Sequence, residues 1–230
     1  MKNANVLEII TRALSLIDMR LIDHGKNVAL LTYRAMKCSG KYAEHEIRDM
    51  CMAAVLHDVG IFKEEEIDQV VVFDTENVWT HAIYGYLFLK KFTPLAHLAP
   101  AILFHHARVE DMATVPPYYR DLAQILHIAD RIEIASRFGG KTAGDLMTYL
   151  SGQRGGAFDP ALISLFFQED IRDTDIDANR EMEILWESLC QADISRRDRE
   201  RYLETVVLSI DFRSRATVTH TIATACLSRT

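Results

Sequence analysis

Seven residues of this chain could together hold metal ions: His24, the adjacent pair His57-Asp58, His81, the adjacent pair His105-His106, and Asp130. The chemistry they offer is coordination by imidazole and carboxylate without thiolate, a donor set that suits iron, manganese or zinc. A cluster of this size has room for two ions with one carboxylate shared between them. Each position lies among apolar neighbours: Val55 and Leu56 precede His57, Ile102, Leu103 and Phe104 precede His105, and Ile128 and Ala129 precede Asp130. Burying a lone aspartate in such surroundings is costly unless a cation or a donor meets it, and a metal removes the difficulty. Taken singly, a histidine on an apolar helix face is more often a hydrogen-bonded core residue than a ligand, and His57-Asp58 alone is a helix end turning toward solvent. The joint pattern separates the readings.

These residues have to be positioned by helices. Apolar residues recur at helical spacing nearly throughout, as in Ile47, Met50, Cys51, Ala54 and Val55, or Leu122, Ile125, Leu126, Ala129 and Ile132. The one β-rich patch, Val70 to Phe73, is a short extended piece or the end of a helix begun by Glu64-Glu65-Glu66, the helix being favoured. Ser39-Gly40 closes one helix, Asp74-Thr75 can cap the next, and Pro94 can open another in its first turn. Ala113 to Tyr119, with Pro116-Pro117, reads as a loop, as do Gly139-Gly140 and the stretch from Ser151 to Asp159. Pro160 opens a further helix, and the charged run from Asp170 to Arg180 is a connector or a solvated face. Each of the seven candidates then sits on or at the end of its own helix or helix pair, as in bundles that build two-metal sites in their cores.

The expected fold is all-α: a helical bundle with an additional C-terminal helical segment. Residues 1–155 form the metal-binding core, 156–208 a helical extension, and 209–230 a terminal helix. Residues 209–225 echo residues 16–32 through Ile-Asp-x-Arg followed by a histidine and a small apolar helix, so the last segment could begin a second, similar repeat. His220 would then stand apart from the site.

Composition narrows the classes of function. At 230 residues and 49% hydrophobic content the chain can bury a sizeable core. A net charge of −7 with interspersed signs disfavours binding to a nucleic-acid polymer or an anionic membrane surface. No stretch approaches the length of a membrane span, and the amphipathic N-terminus lacks the continuous apolar run of a secretion signal. The 4 cysteines lack C-x-x-C spacing, which fits a reducing, cytoplasmic setting. A small substrate is the expected partner; a homodimer is compatible with all of this.

In its order of motifs the chain resembles the HD superfamily of metal-dependent phosphohydrolases, and within it the HD-GYP branch, which hydrolyses cyclic dinucleotides. The likeness covers about residues 16–165: VLHDVG, the H-x-x-x-G of HAIYG, ILFHHAR, ILHIADRIEIA and a later FDP. It implies a binuclear centre of two divalent transition ions, iron or manganese, with zinc, nickel or magnesium as alternatives. By the same resemblance Asp58 bridges the two, His24, His57 and Asp130 hold one, and His81, His105 and His106 hold the other. Such a pair activates a water that attacks phosphorus and offsets the charge developing on the phosphoryl oxygens, with no protein nucleophile.

The chain departs from that pattern in three places. Gly-Tyr-Pro is absent after His105-His106, where ARVEDMATVPPYYRD keeps Arg108 but replaces the glycine-rich loop, leaving Tyr118 or Tyr119 as stand-ins. Ile61 occupies the usual lysine position after HD-x-G, with Lys63 two residues on. Arg20 replaces the glutamate that holds a third metal in some relatives, and a cation does not ligate a cation. Substrate-phosphate candidates are Arg108, Arg131, Arg137 and Lys141, beside Gly139-Gly140, whose lack of a Cβ would let the backbone approach a ligand; solvated helix ends are the alternative. His127, three residues before Asp130, is placed to orient a ligand, while His45 and His97 read as surface residues. The expectation is a nucleotide phosphodiesterase; a non-catalytic signalling module and an oxygen-activating di-iron enzyme stay open beside it.

Overall fold

The computed structural model describes residues 19–61, 78–137, 142–167, 175–191, 195–198 and 200–201. Among them the architecture is all-α: α1 (Met19–Ser39), α2 (Glu44–Val55), α3 (Val78–Phe92), α4 (Ala99–Leu103), α5 (Pro117–Arg137), α6 (Ala143–Gly152), α7 (Pro160–Leu165) and α8 (Asp175–Gln191). The β-rich patch at 70–73, the cap at Asp74-Thr75, Lys63, Gly139-Gly140, Lys141 and the echo at 209–225 lie outside the described residues.

Each helix ends where its local chemistry changes. α1 stops at Ser39, whose Oγ donates to Met36 O at 2.7 Å, and Gly40 turns the chain at φ +62°, the left-handed region where glycine carries no Cβ penalty. Ala43 offers no side-chain cap to α2, so Glu46 reaches back and accepts from the Ala43 amide at 2.9 Å. Asp159 caps α7 by accepting from the Ala161 amide at 2.8 Å, and Pro160 fills the first turn, where a missing N–H costs nothing.

Two boundaries differ from the sequence expectation, and a third stretch resolves an open alternative. Pro94 does not open a helix: the Thr93 hydroxyl takes the Leu95 amide at 3.0 Å, and a 3-10 turn at Ala96–Leu98 intervenes before α4. Pro117 begins α5 rather than sitting in a loop, so Tyr118 and Tyr119 are helical; a proline in the first helical turn is pre-organised for that role. The charged run after Asp170 is helical from Asp175 onward, with Glu181 of α8 meeting Arg34 of α1 at 2.6 Å.

The core lies where α1, α2, α4 and α5 meet, filled by Val28, Met36, Met50, Leu56, Ile102, Leu122 and Ile125. α8 packs on α1 and α2, with Lys26 Nζ 4.8 Å over the Trp186 ring. Ala157, Phe158, Leu162, Ile163 and Phe166 belong to the same buried cluster, so the chain through α7 packs on the same core as α1. The buried Gln124 ties these parts together: its amide nitrogen Nε2 donates to Ala107 O at 2.9 Å while its Oε1 accepts from the Asp159 amide at 3.1 Å.

Candidate metal centre

The structure brings all seven candidate ligands to one place, each carried by a different part of the bundle. His24 projects from the middle of α1, His81 from α3 and Asp130 from α5; His57-Asp58 lies in the turn that ends α2, and His105-His106 in the turn that ends α4. The His57-Asp58 pair does not face solvent: His57 is 1% and Asp58 5% exposed.

Asp58 stands between two groups. Its Oδ2 lies 3.2 Å from His57 Nε2 and 3.5 Å from His24 Nε2, while Oδ1 lies 3.6 Å from His81 Nε2 and 3.8 Å from His105 Nε2. Asp130 Oδ1 joins the first group at 3.2 Å from His24 Nε2 and 4.0 Å from His57 Nε2. In the second group His81 Nε2 and His106 Nε2 are 2.8 Å apart.

Close approach of backbone makes this convergence possible. A Cβ on Gly60 would sit 2.2 Å from His81 O, and one on Gly85 would sit 3.1 Å from His57 O. The two glycines therefore let the turn carrying His57-Asp58 lie directly on α3. Gly25 does the same between α1 and α2, where a Cβ would come within 2.6 Å of Val55 O. The small residues of HD-x-G and H-x-x-x-G are thus contact surfaces between the elements that hold the histidines.

Hydrogen bonds fix how the rings face. His57 Nδ1 is 2.7 Å from Ala54 O and His105 Nδ1 is 2.6 Å from Ile102 O; a carbonyl only accepts, so Nδ1 carries a proton and Nε2 faces inward. His24 Nδ1 is 2.5 Å from Glu133 Oε2, which orients its Nε2 in the same manner. Arg131 donates Nη2 at 2.6 Å and Nε at 3.1 Å to Asp130 Oδ2, leaving Oδ1 for the cluster.

Among the protein's own charges, the groups are pushed apart electrostatically. Burial lowers His105 to about 3, helped by the nearby His57 and His81 rings, and lowers His106 and His81 as well. Burial opposes charging of His24 too, but Asp130 and Glu133 outweigh it and raise this ring to about 10. Burial would raise Asp58 and Asp130; His57 holds the first, and Arg131 with His24 the second, well below the usual carboxylate range.

The residues present fit metal ions. His24 Nε2, His57 Nε2, both Asp58 oxygens, His105 Nε2 and Asp130 Oδ1 are all buried without a hydrogen-bond partner, a combination that native cores avoid because each such atom loses its hydration. The ligand atoms of Asp58, His81, His105 and His106, and likewise those of His24, His57 and Asp58, all fall within 4.8 Å of one another. Two nitrogens bound to one ion at about 2.0–2.1 Å sit roughly 3 Å apart, as His81 and His106 do.

The other named residues fall into different surroundings. Arg131 is buried against Asp130; Arg137 lies near Glu133 at 3.5 Å and Asp23 at 3.9 Å; exposed Arg108 is bonded to Glu110 at 2.5 Å. His127 is buried between His106 and Phe158, ring centroids 5.7 and 4.8 Å away, and burial lowers it to about 3. Tyr118 is exposed and its hydroxyl donates to Glu46 at 3.1 Å; Ile61 is buried; His45 and His97 are at the surface. Glu133 and Gln124 carry no motif that singles them out. The available signal for Glu133 is its place one turn beyond Asp130, a carboxylate among apolar residues of the same helix.

The HD domain family matches this chain over residues 21–135, half its length and a span that contains all seven clustered residues. The chain belongs to the HD domain family. This HD domain is also 25% identical over 127 residues to 3'3'-cGAMP-specific phosphodiesterase 1 of Vibrio cholerae serotype O1 (strain ATCC 39315 / El Tor Inaba N16961), a match covering 54% of the chain and 29% of that relative. Its fold is similar to a crystal structure of a cyclic GMP-AMP-specific phosphodiesterase, V-cGAP3, of V. cholerae, with a TM-score of 0.64 at 14% identity, covering 96% of this chain and 62% of the other. The aligned part of the HD domain thus spans under a third of its curated relative's length. No helix among the described residues is long and apolar enough to cross a membrane.

Proposed function

We propose that this HD domain is a metal-dependent phosphodiesterase that hydrolyses a cyclic dinucleotide, with a two-ion centre held by His24, His57, Asp58 and Asp130 on one side and Asp58, His81, His105 and His106 on the other. The observation that carries the reading is the stance of Asp58, with one carboxylate oxygen toward each histidine group. The substrate class rests on the sequence likeness to the 3'3'-cGAMP-specific enzyme and on the HD, H, HH and D motifs in their order.

Divalent ions bound here supply Lewis acidity toward a phosphoryl oxygen and a water of lowered pKa. The chain's own residues do the rest by positioning. His57 and His105 keep their protons on Nδ1, bonded to backbone carbonyls, and present Nε2 as a donor atom. Arg131 neutralises and steers the outer oxygen of Asp130, so it serves the ligand, and Arg108, Arg137 and Lys141 remain as the contacts for substrate phosphates. In the overall reaction a water oxygen bonds to phosphorus, the bond from phosphorus to a sugar oxygen breaks, and that oxygen leaves with a proton. No side chain of the cluster has to act as nucleophile.

Ile61, buried where the branch has lysine, favours a second reading, a nucleotide-binding module without turnover. Hydrolysis assays with 3'3'-cGAMP, other cyclic dinucleotides and simple phosphoesters, run with manganese or iron under reducing conditions, separate the two. Turnover that Asp58→Ala abolishes supports the enzyme. Binding of a cyclic dinucleotide without any turnover, in protein shown to be metal-loaded, supports the module.

A further inference from the structure

The two halves of the cluster are buttressed differently. Among the described residues, His24 is the one ring of the cluster whose Nδ1 meets a charged side chain: Glu133 Oε2 at 2.5 Å, across 109 residues of sequence. Glu133 is itself 5% exposed and held in place, its other oxygen accepting from Asn27 Nδ2 at 3.2 Å and Arg137 Nη1 at 3.5 Å. In the same half His57 is pinned by Ala54 O and Asp130 by Arg131. In the other half, among the described residues, His105 alone has a backbone anchor, at Ile102 O, and the ring hydrogen bond of His81 and His106 is the one they make with each other.

A carboxylate behind a ligating imidazole fixes the ring, sets the tautomer and makes the far nitrogen a stronger donor; losing such a partner typically costs about 10–100-fold in metal affinity. We infer that Glu133 is a positioning residue that makes the His24, His57, Asp58 and Asp130 half the tighter of two unequal ion sites, filled before the half that contains His81, His105 and His106. The inference rests on the two-ion reading above.

Stepwise calorimetric titration of the chelator-stripped chain with manganese tests it without reference to turnover. The native chain is expected to take up ions in two resolvable steps. Glu133→Ala weakens the tighter step about 10–100-fold and leaves the weaker one within about threefold, whereas His81→Ala weakens the other step. Glu133→Gln, whose single amide oxygen can still accept from His24 Nδ1 but not from Asn27 as well, loses less than the alanine variant and guards against a folding defect in the latter, with circular dichroism checking both. Two unresolvable native steps, a Glu133→Ala variant that changes neither step or weakens both alike, or His81→Ala and Glu133→Ala acting on the same step would overturn the assignment of Glu133 while leaving the two-ion centre standing. A native chain that takes up no ion removes the centre and this inference together.

Discussion

Single side chains set the chemistry of the centre through their protons. His24 is raised to about 10 by Asp130 and Glu133 against the opposing effect of burial, so at neutral pH this ring is charged before metal arrives, and an incoming ion has to displace its Nε2 proton. Uptake at pH 7 is therefore expected to release about one proton from His24, with affinity rising up to tenfold per pH unit between about 7 and 9. Calorimetry in buffers of different ionisation enthalpy measures the release directly; uptake without proton release would remove His24 from the ligand set. His105 needs no such displacement, because burial holds it near 3 and its ring is already neutral.

The depressed rings have the opposite consequence for the stripped protein. His81, His105, His106 and His127 are all lowered by burial, so the unfolded chain binds protons that the folded chain refuses. Their stabilising effect is complete above the ordinary histidine range near pH 6.5 and is lost as pH falls toward the lowered values. His24 has the reverse sign, its contribution being present below 6.5 and fading as pH rises through about 10. In chelator, stability between pH 6.5 and 5 should fall more steeply than the roughly 1.4 kcal/mol per pH unit of one titrating group. Denaturant melts at half-unit intervals check the slope, and a flat profile would contradict the burial of these rings.

Among the helices, contact distance governs whether the ligands meet. The Cβ of Gly60→Ala would fall 2.2 Å from His81 O, a position no side chain movement relieves because the obstructing atom is backbone. The turn bearing His57-Asp58 must then lift from α3, costing about 1–3 kcal/mol in stability and separating Asp58 from His81. Thermal melts together with manganese titration are expected to show both losses in Gly60→Ala; a variant with native stability and native uptake would show that the glycine contact is dispensable.

The helical architecture is legible in the sequence because apolar residues keep a 3.6-residue period through α2 and α5, and because Gly40 and Pro160 punctuate it at positions where only their backbone chemistry fits. The convergence of His24, His57, Asp58, His81, His105, His106 and Asp130 is legible for a different reason: imidazoles and carboxylates recurring in apolar surroundings on separate helices need a shared partner. Less legible is anything that depends on distance between elements. Pro117 reads as a loop residue until Tyr118 and Tyr119 are seen in α5, because proline marks loops and first helical turns alike. Glu133 and Gln124 look like ordinary helical polar residues, and only the approach of α1 to α5 and of the turn before α7 to α5 reveals their partners. Arg131 reads as a cation for substrate, and its bond to the neighbouring Asp130 depends on a side-chain rotamer that spacing does not specify.

At the scale of the whole molecule, α1, α2, α4, α5, α7 and α8 all contribute to one buried cluster among the described residues. Phe158 is 1% exposed and packs edge-on against His127, so it couples the turn before α7 to the helix that carries Asp130. Phe158→Ala should cost about 3–5 kcal/mol in a single cooperative transition seen alike by circular dichroism and, in a Trp79→Phe background, by emission from Trp186, which sits on the α1 side of the bundle. Two separated transitions would mean that the segment through α7 folds independently of the metal-binding helices.

The convergence of seven ligands on two ions is tested most directly by elemental analysis of the intact chain purified without chelator, alongside Asp58→Ala. Close to two transition ions per native chain, with the single substitution at Asp58 lowering occupancy of both positions, is the predicted result. A native chain that carries no transition metal and cannot be loaded with manganese, iron or zinc would contradict it.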